Sequence, residues 1–241
     1  MKKTSGITAL LSAALLLTVG STSYAAQNSF VDLDKVPQKI YIEGLAQKGV
    51  VHGMPNAHFK PNQQITLAEG MTMITQAFHL ETFKDAEDAS KSAPELQANS
   101  WYAEYVSIAA AKGMALPEKF VASTKLNKED FVYHLVRAME ITGGFPLIKL
   151  IPIDIADEKQ MTPAYQGSIQ RALHYKLIEL DSKGNVNPKA KLTRAEAAEI
   201  LYKASVLYDK MLTINKANGQ PASEGGRWMY LPEGVTPADN E

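Results

Sequence analysis

An arginine beside a helix start is the strongest chemical feature of this chain. Leu192-Thr193-Arg194-Ala195-Glu196 places a hydroxyl, a guanidinium and a carboxylate within five residues. Threonine followed three residues later by glutamate is a capping box, in which each side chain bonds the other's free backbone N–H. A helix N-terminus with unpaired N–H groups and an adjacent arginine also suits an anionic group. The five residues therefore admit two uses, a cap alone or a cap that holds a ligand. Capping by itself accounts for Thr193 and Glu196, whereas Arg194 is either a solvated first-turn residue or the ligand's partner.

The motif recurs. Ile65-Thr66-Leu67-Ala68-Glu69 lies upstream, and Leu126-Asn127-Lys128-Glu129-Asp130 lies between the two. The capping positions step by 61 and then 66 residues, from 66 to 127 to 193. The middle copy is the poorest box, because aspartate reaches less far than glutamate. The arginine position holds Leu67 in the first copy and Lys128 in the second. Lysine keeps the charge but loses the bidentate fork, and leucine keeps neither.

Each motif must sit on a helix, and an amphipathic run follows each. Leu67, Met71, Ile74 and Phe78 form one stripe, Phe131, Leu135 and Met139 a second, and Ala197, Ile200, Ala204, Leu207 and Met211 a third. Met71 and Met73 suit core filling. A further helix precedes each motif. The first is expected near Gln38 to Lys48, stopped by Gly49, and the second near Trp101 to Lys112, stopped by Gly113. The third starts at Thr162-Pro163, with Tyr165, Ile169 and Leu173 on one face.

Between the helices of the first copy runs Gly49-Val50-Val51-His52-Gly53-Met54-Pro55-Asn56-Ala57-His58-Phe59-Lys60-Pro61. The third copy keeps the register. Leu177-Ile178 answers Val50-Val51, Gly184 answers Ala57, Val186 answers Phe59 and Pro188 answers Pro61. A hydrophobic-x-Asp start precedes each first helix, at Phe30-Val31-Asp32, Phe83-Lys84-Asp85 and Ile155-Ala156-Asp157. These aspartates are expected in turns or caps.

These residues resemble the S-layer homology repeat of bacterial envelope proteins. Its pattern opens Phe-x-Asp-Val, carries an early Trp-Ala, continues Gly-Ile-Ile-x-Gly-Tyr-x-Asp-Gly-x-Phe-x-Pro and ends Ile-Thr-Arg-Ala-Glu. The resemblance extends from about Phe30 to Met211, and only Trp101 matches the early tryptophan. It implies an all-α fold of three helix-loop-helix repeats packed as a pseudo-threefold helical bundle, with ligand grooves between neighbouring prongs. A repeat this small cannot bury its apolar face alone. The implied division is a signal peptide at 1–25, repeats at 30–82, 83–146 and 147–212, the second degenerate, and a flexible tail at 213–241.

The resemblance also implies a function. Such repeats hold proteins non-covalently to secondary cell-wall polysaccharide, often of a pyruvylated amino-sugar type, whose ketal carries a carboxylate. The ligand-binding residues it implies here are Arg194, Thr193, Glu196, Lys128 and Trp101, with Trp101 suited either to stacking on a sugar or to the core. Envelope proteins are a second class of partner. The missing arginines favour an alternative, a secreted structural or interaction module that keeps the fold without the polysaccharide site.

Composition narrows the field. The chain has 241 residues, 45% hydrophobic and 21% charged, an ordinary globular mixture. Lys2 and Lys3, an apolar run of 13 residues from Ile7 to Val19, and Ser23-Tyr24-Ala25 form a secretory signal expected to be cut after Ala25. The cut removes two lysines and no acid, so the net charge falls from −1 to −3. That balance gives no nucleic-acid footprint, and bulk charge will not hold an acidic polymer. No transmembrane segment is expected after cleavage.

Cysteine is absent, which excludes disulfides, thiol nucleophiles and cysteine-ligated metals. His52 and His58 share the first loop, but no dense metal-ligand spacing occurs, and no Gly-x-Ser-x-Gly elbow is present. Neither enzyme activity nor a cofactor is expected. The spacers Ala86–Asn99 and Gly143–Ile153 are expected as surface loops. The tail turns to Gly, Pro, Asn and Glu around an apolar island, Arg227 to Leu231, which either folds back or binds a partner. No further domain is expected after it.

Overall fold

The computed structural model describes residues 30–80, 96, 99–142 and 151–217. The expected signal peptide, the Phe83-Lys84-Asp85 start, most of both spacers and the tail beyond residue 217 lie outside them. The described residues form six helices and no strand. These are α1 (Lys39–Gln47), α2 (Leu67–Ala77), α3 (Ala103–Ala111), α4 (Lys128–Ile141), α5 (Gln166–His174) and α6 (Arg194–Ala217).

The capping boxes start α2, α4 and α6. Thr66 accepts from the Glu69 N–H at 3.2 Å while Glu69 accepts from the Thr66 N–H at 2.8 Å. Thr193 and Glu196 repeat this at 3.2 and 2.8 Å. The middle box also closes, since Asp130 accepts from the Asn127 N–H at 3.2 Å and Asn127 from the Asp130 N–H at 2.9 Å. The shorter aspartate therefore reaches after all. Each box contributes about 1 kcal/mol.

The preceding helices end alike. Gly49 and Gly113 take the left-handed conformation, with φ of 72° and 81°. The following N–H then bonds back to the helix, from Val50 to Leu45 O and from Met114 to Ala109 O. At the end of α5 the same geometry falls on Lys176, at φ 54°, with Leu177 bonding to Ala172 O. No glycine marks that stop in the sequence. The Thr162-Pro163 start opens a 3-10 turn, Pro163–Tyr165, and Thr162 makes no cap bond.

All three predicted stripes are buried, and α2, α4 and α6 pack against one another. Just ahead of them, three short extended segments bridge pairwise: Gln64 with Thr193, Thr66 with Lys125, and Asn127 with Lys191. The Ile65 N–H donates to Leu192 O and the Leu126 N–H to Ile65 O, at 3.0 and 3.1 Å. Each segment thus pairs with the other two.

The helix partners differ from the simple helix-loop-helix reading. Helix α3 packs on α2, α5 on α4, and α1 on α6. Each motif helix is therefore covered by the helix that follows it along the chain, and the last is covered by the first. The closing contact requires a small residue. A Cβ at Gly44 would run into the Tyr202 ring of α6.

Two of the hydrophobic-x-Asp starts brace the loops rather than capping helices. Asp32 accepts from the Phe59 and Lys60 N–H groups, both at 2.8 Å. Asp157 accepts from those of Val186 and Asn187, at 2.9 and 2.8 Å. The helix N-cap of α1 is Gln38, which makes no side-chain cap bond. Both aspartates sit in turns, as expected, but the cap role is corrected, because their carboxylates satisfy backbone donors 27 to 30 residues away. Burial works against the Asp32 carboxylate, but its backbone donors and His58 outweigh that and hold its pKa below the ordinary value.

Candidate functional site

Arg194 opens α6 but reaches away from it. Its backbone N–H pairs with Gln63 O, which carries the side chain under the loop ahead of α2. There Nε donates to Phe59 O at 3.0 Å, one terminal nitrogen meets Glu69 Oε1 at 2.9 Å, and the guanidinium lies 4.8 Å from the centre of the Phe59 ring. The residue is only 5% exposed. Burial pulls its pKa below the ordinary value, against the opposing pull of Glu69 and Asp32. An arginine stays charged across such a shift.

Glu69 has two duties. Oε2 closes the Thr66 capping box and Oε1 holds Arg194. The capping glutamate of one motif is therefore the ion partner of another motif's arginine. Charge-assisted bonds of this kind are short and orienting, and they fix the corner in one geometry.

Beside this corner opens a cavity of about 540 Å³. The loop from Val50 to Pro55 forms one wall, and Glu69, Thr72, Met73 and Gln76 of α2 form another. Trp101, Tyr105 and Arg194 complete the lining. Trp101 is 61% exposed, so its ring is free of the core and offers a flat apolar face. Largely apolar walls with a few convergent polar groups are the usual makeup of a small-ligand site.

Two of the five expected site residues, Arg194 and Trp101, thus meet across 93 positions of sequence. Thr193 and Glu196 are absent from the lining and bond to each other at the exposed helix start. Lys128 occupies a second corner. Its Nζ donates to Val186 O at 2.9 Å, the counterpart of Arg194 on Phe59 O. At the third corner, Leu67 is buried, and its N–H bonds to Thr124 O.

A different carboxylate dominates the Lys128 corner. Glu129 stands where the other motifs have Ala68 and Ala195, and it is fully buried. It accepts from the Thr162 hydroxyl at 2.6 Å, from the Thr162 N–H at 3.0 Å and from Lys189. Burial tends to raise its pKa, but Lys189 and Thr162 together outweigh this and hold it below the ordinary value.

Glu69, Thr72, Gln76 and Tyr105 were not singled out as site residues from the sequence. A signal was present for three of them. Positions 69, 72 and 76 recur at i, i+3 and i+7, which is a second face of α2 beside the core stripe. Tyr105 follows Trp101 by four residues. What the sequence withheld is that α3 covers α2, which brings these two strips face to face. Met73, expected as core filler, also lines the cavity.

Among the described residues no group of histidine, aspartate and glutamate side chains is arranged to hold a metal ion, and no helix is long and apolar enough to cross a membrane.

Comparison with known proteins gives a consistent picture. The S-layer homology domain family matches residues 29–69 and 154–198. These stretches hold the two loops braced by Asp32 and Asp157, together with the first and last motifs. The "Surface-layer 125 kDa protein" of Lysinibacillus sphaericus is 26% identical over 87% of this chain and 17% of its own length. The "S-layer protein sap" of Bacillus anthracis is 25% identical over 82% of the chain and 24% of its length. The "Amylopullulanase" of Thermoanaerobacterium thermosulfurigenes is 25% identical over 75% and 10%. The chain spans less than a quarter of each relative it matches here.

Proposed function

The chain is an S-layer homology domain protein, and from that premise we propose that it is a non-catalytic cell-wall-binding module. It works at the cell surface, attached non-covalently to secondary cell-wall polysaccharide. The observation that carries this reading is the convergence of Arg194, Trp101 and the Val50–Pro55 loop on one cavity. Trp101 stacks on a sugar face, and the Arg194 donors left over from Phe59 and Glu69 take the ligand's anionic group. A polymer of the pyruvylated amino-sugar type supplies both features. The repeats at 30–82, 83–146 and 147–212 and their pseudo-threefold packing belong to this reading, and the pairwise bridging of the three motif segments supports them.

A second reading has a specific observation in its favour. Arg194 and Lys128 both spend donors on loop carbonyls, and Leu67 offers none. A scaffold that kept the fold and binds envelope proteins instead would use the same contacts. Pelleting of the mature protein with purified sacculi separates the two. The wall-binding reading predicts that the protein sediments with intact sacculi and stays in solution once the secondary polysaccharide is stripped. Equal behaviour with both preparations sinks it.

A further inference from the structure

We propose that the chain carries a single working ligand groove, and that Thr72 keeps it open. This rests on the reading that the Trp101 cavity takes wall sugar. The argument compares equivalent positions of the three motif helices. Counting from the capping residues Thr66, Asn127 and Thr193, position 72 of α2 corresponds to Tyr133 of α4 and Glu199 of α6. Position 76 corresponds to Arg137 and Lys203.

At α2 the two positions hold Thr72 and Gln76, and the cavity lies over them. The Thr72 hydroxyl has no hydrogen-bond partner although it is buried. An unmet buried hydroxyl carries a penalty, so the residue is poorly explained as core packing and better explained as the small side chain this spot requires.

At α4 the equivalent position carries a large aromatic side chain held by a neighbour. The Tyr133 ring stacks on Tyr165 with centroids 4.3 Å apart and planes at 20°. Arg137 turns to Glu140 at 2.5 Å. At α6 the polar pair is self-satisfied. Lys203 bonds Glu199 at 2.9 Å, and Glu199 accepts from Gln38 of the covering segment at 3.3 Å. Lys203 also sits 5.9 Å above Tyr41, the counterpart of Tyr105 when α1 and α3 are aligned at their glycine stops. Both of these surfaces have their own side chains where α2 has open volume.

The test is calorimetric titration with short oligosaccharide fragments of the polysaccharide released from the sacculi. The expected result is one fragment per chain, with Thr72→Tyr weakening binding at least tenfold while melting cooperatively. Two or three fragments per chain overturn the proposal, as does a folded Thr72→Tyr variant that binds like wild type. The wild-type stoichiometry decides the matter even where that variant fails to fold. No binding by the wild-type protein overturns both the proposal and the polysaccharide reading beneath it, whereas wild-type binding at a higher ratio overturns the proposal alone.

Discussion

The Arg194 and Lys128 corners share a backbone plan and differ in what fills it. In both, the first helical residue donates its backbone N–H to an adjoining segment and its side chain to a loop carbonyl. In both, an aspartate from a distant start holds that loop through two N–H groups. The Arg194 corner then adds Glu69 and stops, leaving a cavity beside the pair. The Lys128 corner adds Glu129, which ties Thr162 and Lys189 to α4. One corner keeps space and the other uses it for cross-linking. A repeated fold can therefore keep open space at one copy and cross-link another by changing a few side chains on a shared backbone plan.

Removing the cation at each corner gives the largest expected contrast. Arg194→Ala leaves the part-buried Glu69 carboxylate without its cation, and breaking a largely sequestered pair in this way costs about 3 kcal/mol. Lys128→Ala deletes one part-buried bond to a carbonyl and costs about 1 kcal/mol. Urea unfolding of the two variants checks the difference, and equal losses would erase the distinction between the corners. It follows that Arg194→Ala is a poor probe of binding alone, because it also unsettles the fold. Trp101, exposed and outside the core, is the cleaner probe.

Acid should expose the cohesive side of the molecule. His134 on α4 is buried with its Nδ1 unpaired, and burial lowers its pKa to about 4 from 6.5. The fold favours the neutral ring, so the unfolded chain takes up the proton first. Stability is full above about pH 6.5 and falls as the pH drops toward 4, by up to ~3 kcal/mol from this group. The depressed Glu129 and Asp32 carboxylates add losses below their ordinary range, while Asp130, raised by burial, works the other way. His134→Leu is expected to flatten the fall between pH 6.5 and 4 in thermal melts. An unchanged slope contradicts the assignment.

The smallest expected effect concerns the helix stops. Gly49 and Gly113 adopt positive φ without strain, whereas Lys176 does so with a side chain. Lys176→Gly should stabilise the protein by about 1 kcal/mol, measured as a shift of the urea midpoint at unchanged slope. Destabilisation would show that the lysine side chain has a packing role.

Much of this was legible in the sequence, for local reasons. Caps, stripes and glycine stops act within a few residues, and the two helices stopped by Gly49 and Gly113 begin and end within about two residues of where those signals put them, whereas the helix expected from Thr162-Pro163 starts only at Gln166, after a 3-10 turn. The loop register of Val186 with Phe59 also has a structural counterpart, since both receive the same aspartate brace. The site was less legible. Arg194 and Trp101 both line the cavity, but the glutamate bonded to Arg194 is Glu69, far along the chain, and not its neighbour Glu196. Periodicity says which face of a helix is apolar and not which helix covers it. Only the packing of α3 on α2, and of α1 on α6, brings the cavity walls together.

The most direct test sets the two corners against each other in binding. Affinity for the purified wall polysaccharide would be measured for Trp101→Ala and Lys128→Ala, with melting curves showing that both remain folded. The account predicts a loss of at least tenfold at Trp101 and little change at Lys128. Wild-type affinity in Trp101→Ala, or a loss confined to Lys128→Ala, would contradict it.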